Sequence, residues 1–345
     1  MRTPTDTVND SLRWSQLLSG QHPVPIAQSA RAEVFRRDEM VLYRYTRETP
    51  ATQTLPVLLV YSLINRPSIL DLQPERSVVQ ALLKAGFEVY LIDWGVPTVV
   101  DQHLDLDAYV NVFIRLFVRE TCRHAGTAKV NLFGYCMGGT MAAMYTALHP
   151  ARVNSLLLLG TPFHFRSDEL LYRWGCDPGF FDPDKLVAAC GNAPPGSFDG
   201  FSLLKLGQKL PRLSALYDNV GDARYVENHL AMEQWVNDNI PMAGAVYAEF
   251  LKACFQENRL IEKRLTVGGR VVDLARITCP TLVVTGGTDH LVPPETAEPV
   301  AGLLPNAEVM RFPTGHIGLS MSGAAHKKLW PDATAWMARV QPARN

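Results

Sequence analysis

Short unbroken apolar runs alternate with amphipathic stretches along most of this chain. Residues 56–61, 87–92, 129–133, 153–159 and 279–285 are each long enough for one buried strand and too short for a helix of ordinary length. Between them, residues 77–85 read as a helix stopped by Gly86. Residues 105–124 carry Leu106, Tyr109, Val110, Phe113, Leu116 and Phe117 as a helical stripe, with Asp105 and Asp107 in the first turn and Gly126 beyond the end. Residues 140–149 continue with helical periodicity. This order predicts an α/β fold whose central sheet is mainly parallel and buried on both faces. Residues 33–45 alternate as one or two further strands, and residues 10–19 suggest a short helix. From about residue 163 to 272 the strand–helix rhythm disappears among Pro, Gly, aromatic residues and helix formers such as 247–255. It returns at 279, followed by a helix near 296–304, a strand at 308–312 and a terminal helix over 325–339. The expected organisation is an N-terminal segment (1–32), a core made of 33–162 and 273–345, and an inserted cap subdomain (163–272).

The 345 residues carry a formal net charge of −1, with 47% hydrophobic and 19% charged residues. That balance lacks the basic excess of nucleic-acid binders, so no nucleic-acid partner is expected. The first ten residues are polar with no apolar signal core, and the apolar runs are too short to cross a bilayer, which predicts a cytoplasmic protein with no membrane span. Six cysteines are scattered without a C-x-x-C pair, which argues against a zinc site and predicts no metal. Five of them read as core filler.

The sixth, Cys136, does not. Gly134-Tyr135-Cys136-Met137-Gly138-Gly139 joins an apolar strand to a helix, which is the pattern of a nucleophile elbow carrying sulfur in place of oxygen. Such a turn aims the side chain outward and sets it at a helix N-terminus, where backbone N–H groups favour a thiolate. A buried structural cysteine in a glycine-rich turn is the bland alternative; the strand before and the helix after favour the nucleophile. The pattern predicts an α/β-hydrolase core, in which an acid and then a histidine follow on loops after late strands. Asp289, in Gly-Gly-Thr-Asp289-His290, and His316, in Thr-Gly-His316-Ile-Gly, stand in that order. Taken singly, Asp289 could be a turn former and His316 a hydrogen-bonded loop residue. His290, next to the acid, is expected to point elsewhere in a supporting role. Oxyanion-hole N–H groups are expected from Met137, which follows the nucleophile, and from Leu63, on the loop after an early strand.

These residues together resemble the polyhydroxyalkanoate synthases, in particular the two-component class III catalytic subunits. The resemblance covers roughly residues 40–340. It runs through Leu63-Ile64-Asn65-Arg66-Pro67, Ile69-Leu70-Asp71-Leu72-Gln73, Val89-Tyr90-Leu91-Ile92-Asp93-Trp94-Gly95, the Cys136 elbow, Asn237-Asp238-Asn239-Ile240-Pro241, Phe255-Gln256-Glu257-Asn258-Arg259-Leu260, Asp289-His290-Leu291-Val292-Pro293-Pro294 and Gly315-His316-Ile317-Gly318. The resemblance implies an acyltransferase that builds polyester from (R)-3-hydroxyacyl-CoA, with Cys136 as nucleophile, His316 as base and Asp289 as third catalytic residue. It implies no resident cofactor, since coenzyme A is the leaving group. It further implies the growing polyester chain, an accessory synthase subunit and a second copy of the chain as partners, and residence on polyester granules. The absence of a long N-terminal extension is what favours the two-component class. Tyr135 and Met137 depart from the side chains familiar beside the nucleophile, and residues 163–221 diverge, which bears on chain-length preference. A cysteine-dependent thioesterase of the same fold and a catalytically silent granule scaffold remain as alternatives.

Overall fold

The computed structural model of the chain describes residues 24–197 and 214–342, together with Trp14. The helix expected over 10–19 lies outside the described residues, apart from Trp14. An antiparallel pair, β1 (Arg31–Arg37) and β2 (Met40–Tyr45), opens the sheet, followed by β3 (Val57–Val60). A small hairpin, β4 (Asp71–Gln73) and β5 (Arg76–Ser77), precedes the helix Val78–Lys84 and β6 (Val89–Asp93). After the helical stretch from Ala108 to Ala125 come β7 (Val130–Tyr135), the helix Met137–Leu148 and β8 (Val153–Leu159). A second hairpin, β9 (Thr266–Val267) and β10 (Arg270–Val271), precedes β11 (Thr281–Gly286) and β12 (Ala307–Phe312).

Eight strands form the central sheet in the order β1-β2-β6-β3-β7-β8-β11-β12. Every pairing from β6 to β12 is parallel, and β2, antiparallel to both β1 and β6, is the one strand that runs against the rest of this sheet. The apolar runs are continuous because both faces are covered. In β3, Leu58 and Val60 join one buried cluster while Val57 and Leu59 join the other. In β8, Leu156 and Leu158 face one cluster and Leu157 and Leu159 the other. Each such side chain, taken fully out of water, contributes about 1.5–3 kcal/mol, so the middle strands hold the frame on which the loops rest.

Several helices depart from their expected form for identifiable reasons. The single helix expected over 296–304 is a short α-helical turn, Pro294–Ala297, followed by a 3-10 turn, Glu298–Gly302; Pro299 has no N–H to continue the α-helical ladder. The terminal helix has a wide π turn over Ala325–Leu329 before Trp330–Arg339, because Pro331 crowds the preceding turn. The helix after the elbow begins at Met137 rather than 140, since glycines hide the start of a helix from propensity.

Between β8 and β11 the described chain is mostly helical: Leu170–Gly175, Pro183–Cys190, Ala223–Asn237 and Gly244–Phe250, the last running into a π turn over Leu251–Gln256. This segment is tied to the sheet side by Trp235 Nε1 donating to the Arg66 carbonyl (2.8 Å) and Tyr172 Oη donating to the Leu291 carbonyl (3.0 Å). Its later part packs inward: Val246, Phe250 and Cys254 belong to the same hydrophobic cluster as Leu58 and Met141.

Candidate active site

Cys136 links β7 to the helix Met137–Leu148 with φ 55° and ψ −130°. A non-glycine residue held there carries strain of about 1–3 kcal/mol, which the surrounding structure sustains. Its N–H donates to the Leu159 carbonyl of β8 (3.0 Å), and its carbonyl accepts from the Gly139 N–H (2.9 Å). The glycines permit the close crossing of strand and helix. A Cβ on Gly134 would come 2.3 Å from the Gly139 Cα, and one on Gly138 would come 2.4 Å from the Val60 carbonyl oxygen. Any side chain at either position would push the helix off the sheet and move the sulfur.

Asp289 and His316 arrive from the loops after β11 and β12, whose pairing brings Gly286 beside Phe312. Asp289 Oδ1 accepts from the N–H groups of Leu291 and Val292, both at 2.8 Å, and Oδ2 accepts from His316 Nδ1 at 2.8 Å. A carboxylate can only accept, so Nδ1 carries the proton and Nε2 is the free ring nitrogen. Both side chains are buried. Burial alone would make the imidazole less basic, but the pull of Tyr135, Asp289 and Cys136 outweighs it and holds His316 well above its ordinary value. Burial pushes the Tyr135 phenol up to about 12, so it is neutral at neutral pH. The source of the upward pull that the geometry fixes is the Asp289 carboxylate, 2.8 Å from Nδ1.

Cys136 and His316 line one cavity of about 350 Å³. Its walls are largely apolar, with Ile64 from the loop after β3, Leu171, Met232, Trp235 and Phe255 from the helical segment, and Ile317 and Met321 beside the histidine. Met137, the first residue of its helix, contributes one of the N–H groups that have no intrahelical acceptor. On the loop after β3, Ser62 and Ile64 line the cavity while the Leu63 side chain is buried in the core. The Ile64 N–H is directed at Ser62 Oγ (3.3 Å). Among the described residues no group of three or more His, Cys, Asp or Glu side chains is arranged to hold a metal ion.

The alpha/beta hydrolase fold family matches residues 56–320. A poly(3-hydroxyalkanoate) polymerase subunit from Allochromatium vinosum is 39% identical over 320 residues, covering 90% of this chain and 88% of that protein. The chain belongs to the poly(3-hydroxyalkanoate) polymerase family. The corresponding subunit from Haloferax mediterranei is 42% identical over 320 residues, 91% of this chain, and the chain spans 65% of that relative's length. A solved thermophilic esterase from Thermogutta terrifontis matches with a TM-score of 0.53 at 19% identity, covering 92% of this chain and all of the esterase, a likeness of fold alone.

Sequence reasoning missed one residue packed against the buried histidine of this polymerase-family chain. The Tyr135 ring stacks on the His316 imidazole, with centroids 5.0 Å apart and planes 19° from parallel, and its hydroxyl donates to the His316 carbonyl (3.1 Å). Its only sequence signal is its place next to the nucleophile. His290 points away, as expected, and pairs with Glu169 at 2.9 Å. The cysteine expectation needs correction: Cys122 and Cys254 are buried and Cys176 and Cys279 partly so, but Cys190 is exposed. Cys190 ends its helix at the edge of the helical segment, where no core lies over it.

Proposed function

We propose that this chain polymerises (R)-3-hydroxyacyl-CoA into polyester, releasing CoA, through an acyl thioester on Cys136. The observation that carries this reading is the strained, outward-turned Cys136 sharing one cavity with a buried imidazole already tied to a carboxylate. His316 Nε2 takes the thiol proton, and an imidazole held above its ordinary basicity takes it readily. Asp289 accepts from Nδ1, which fixes the ring orientation and balances the imidazolium charge.

The sulfur then bonds to the thioester carbon, and negative charge gathers on the carbonyl oxygen near the Met137 and Leu63 N–H groups. Breaking the carbon–sulfur bond to CoA restores the carbonyl, and CoA leaves as a thiol with the proton from His316. One thioester replaces another, so loading is nearly balanced in energy. In the second stage the 3-hydroxyl of another hydroxyacyl unit gives its proton to the base and attacks the acyl carbon. The Cys136 sulfur leaves, and an oxygen ester has formed, which is downhill.

Water is the competing acceptor at the loaded cysteine. The apolar wall supplied by Leu171, Met232, Trp235 and Phe255 supports a reading of residues 163–272 as a cap that keeps the acyl-enzyme dry. By the family resemblance we further infer a cytoplasmic, granule-associated enzyme that works as a homodimer with an accessory subunit; adding a candidate subunit to the purified chain should raise its rate. Among the described residues no helix is long and apolar enough to cross a membrane.

The test is incubation with (R)-3-hydroxybutyryl-CoA while CoA release, insoluble polyester and the mass of the Cys136 peptide are followed. Polyester and an acyl adduct that disappears in Cys136→Ala are expected. Free hydroxy acid as the sole product would make the chain a thioesterase, and no CoA release at all would make it a silent scaffold.

A further inference from the structure

The cavity that holds Cys136 has one permanently charged side chain in its wall, among the described residues: Arg76. Its backbone is fixed before any ligand arrives. Arg76 faces Gln73 across the β4–β5 hairpin. Gln73 Nε2 donates to the Pro25 carbonyl (3.0 Å), and the next residue, Ser77, caps the following helix by accepting from the Gln80 N–H (2.9 Å). The side chain is half-buried, and no carboxylate pairs with it among the described residues. The acids nearest in sequence are engaged elsewhere. Glu75 is paired with Arg224, and Asp71 Oδ1 accepts from the hydroxyls of Ser29 (2.6 Å) and Ser77 (2.5 Å).

Burial pulls the Arg76 guanidinium below its ordinary value, yet arginine remains charged at neutral pH. A cation partly withdrawn from water without a counter-ion is destabilising, and that cost is offset when an anion enters the cavity. A guanidinium presents its donors in a planar fork that suits phosphate oxygens two at a time. In a hydroxyacyl-CoA the acyl group, the thioester and the pantetheine arm are neutral, and so is the polyester product. The phosphates are the only anions the substrate brings.

We propose that Arg76 anchors a phosphate of the CoA moiety and so sets the depth at which the thioester meets Cys136. This inference rests on the polymerase reading of the same cavity. It also gives the cavity a direction: the leaving group lies toward the β4–β5 hairpin, and the neutral acyl chain lies along the apolar wall. Once CoA has departed, the neutral polyester has no anion to offer Arg76, and the anchor is free for the next substrate.

The test compares wild type with Arg76→Gln and Arg76→Lys on two substrates, (R)-3-hydroxybutyryl-CoA and the same acyl group on phosphate-free N-acetylcysteamine. In Arg76→Gln the ratio of kcat/KM for the CoA substrate over the phosphate-free one should fall about tenfold to a hundredfold, the range for a lost charge-assisted contact. The change should lie in KM, with partial recovery in Arg76→Lys. Calorimetric titration with CoA, 3′-dephospho-CoA and pantetheine gives a readout independent of turnover. Arg76→Gln should weaken CoA binding and leave pantetheine binding as it was, and the dephospho-CoA arm separates the 3′-phosphate from the diphosphate. Equal losses on both acyl substrates, or CoA binding unchanged by Arg76→Gln, would overturn the anchor. Should wild type turn over neither thioester while still binding CoA through Arg76, the polymerase reading fails and the anchor stands.

Discussion

Asp289 and His290 are neighbours in the chain, yet each belongs to a different histidine–carboxylate pair. His316 Nδ1 lies 2.8 Å from Asp289, and His290 Nδ1 lies 2.9 Å from Glu169. By distance the two pairs are equivalent. They differ in surroundings: the His316 and Asp289 side chains are 7% and 0% exposed, and those of His290 and Glu169 are 65% and 34% exposed. Water screens the outer pair, and an exposed ion pair of this kind contributes about 0–1 kcal/mol. The inner pair keeps its full interaction, Asp289 is held by two backbone N–H groups, and the cavity with Cys136 opens beside it. On the function proposed above, a contact between imidazole and carboxylate becomes chemically useful where packing excludes solvent and the pair borders the cavity that holds Cys136.

The comparison breaks most sharply at Asp289. Asp289→Asn keeps the shape but no longer dictates which ring nitrogen of His316 carries the proton, and loss of a triad carboxylate typically costs about ten-thousandfold in kcat. We expect a fall of about a thousandfold or more in the rate of Cys136 acylation, read by CoA release in a single turnover. A loss under about tenfold would remove Asp289 from the catalytic set.

An intermediate effect is expected in the pH dependence of stability. Folding raises the basicity of His316 above its ordinary value of 6.5, so the folded state binds this proton more tightly than the unfolded chain does. The stabilisation is fully present below about pH 6.5 and is lost as pH rises through the folded value. Urea unfolding across this range should show a falling component in wild type that is flattened in Asp289→Asn. Equal slopes in the two proteins would mean that Asp289 does not hold the proton on His316.

The smallest effect should come from the outer pair. Glu169→Gln is expected to change kcat by less than about twofold and stability by no more than about 1 kcal/mol, checked by steady-state assay and thermal melting. A large rate loss there would erase the distinction between the pairs and make the outer one part of the machinery.

The middle strands were legible in the sequence because a parallel strand buried on both faces reads as an unbroken apolar run; β8 spans residues 153–159 as expected. The elbow was legible because strand, glycines and Cys136 are contiguous. Asp289 and His316 were legible as candidates by their order after late strands, and the fold brings them together. Other features depended on contacts that sequence order does not display. The stacking of Tyr135 on His316 joins residues 181 positions apart. The π turns before Pro331 and after Phe250, and the packing of Val246, Phe250 and Cys254 into the main core, follow from how helices settle against neighbours.

By itself the sequence determined which residues can do chemistry and on what kind of local structure each stands, because those properties belong to side-chain type and short-range spacing. The tertiary structure alone decided which histidine is dry, which acid it meets, which ring braces it, and that Arg76 lines the cavity with no carboxylate paired to it among the described residues. The physical reason is that solvent exclusion and charge pairing are set by what packs around a group from distant parts of the chain. Two histidines with equally close carboxylates therefore acquire different roles.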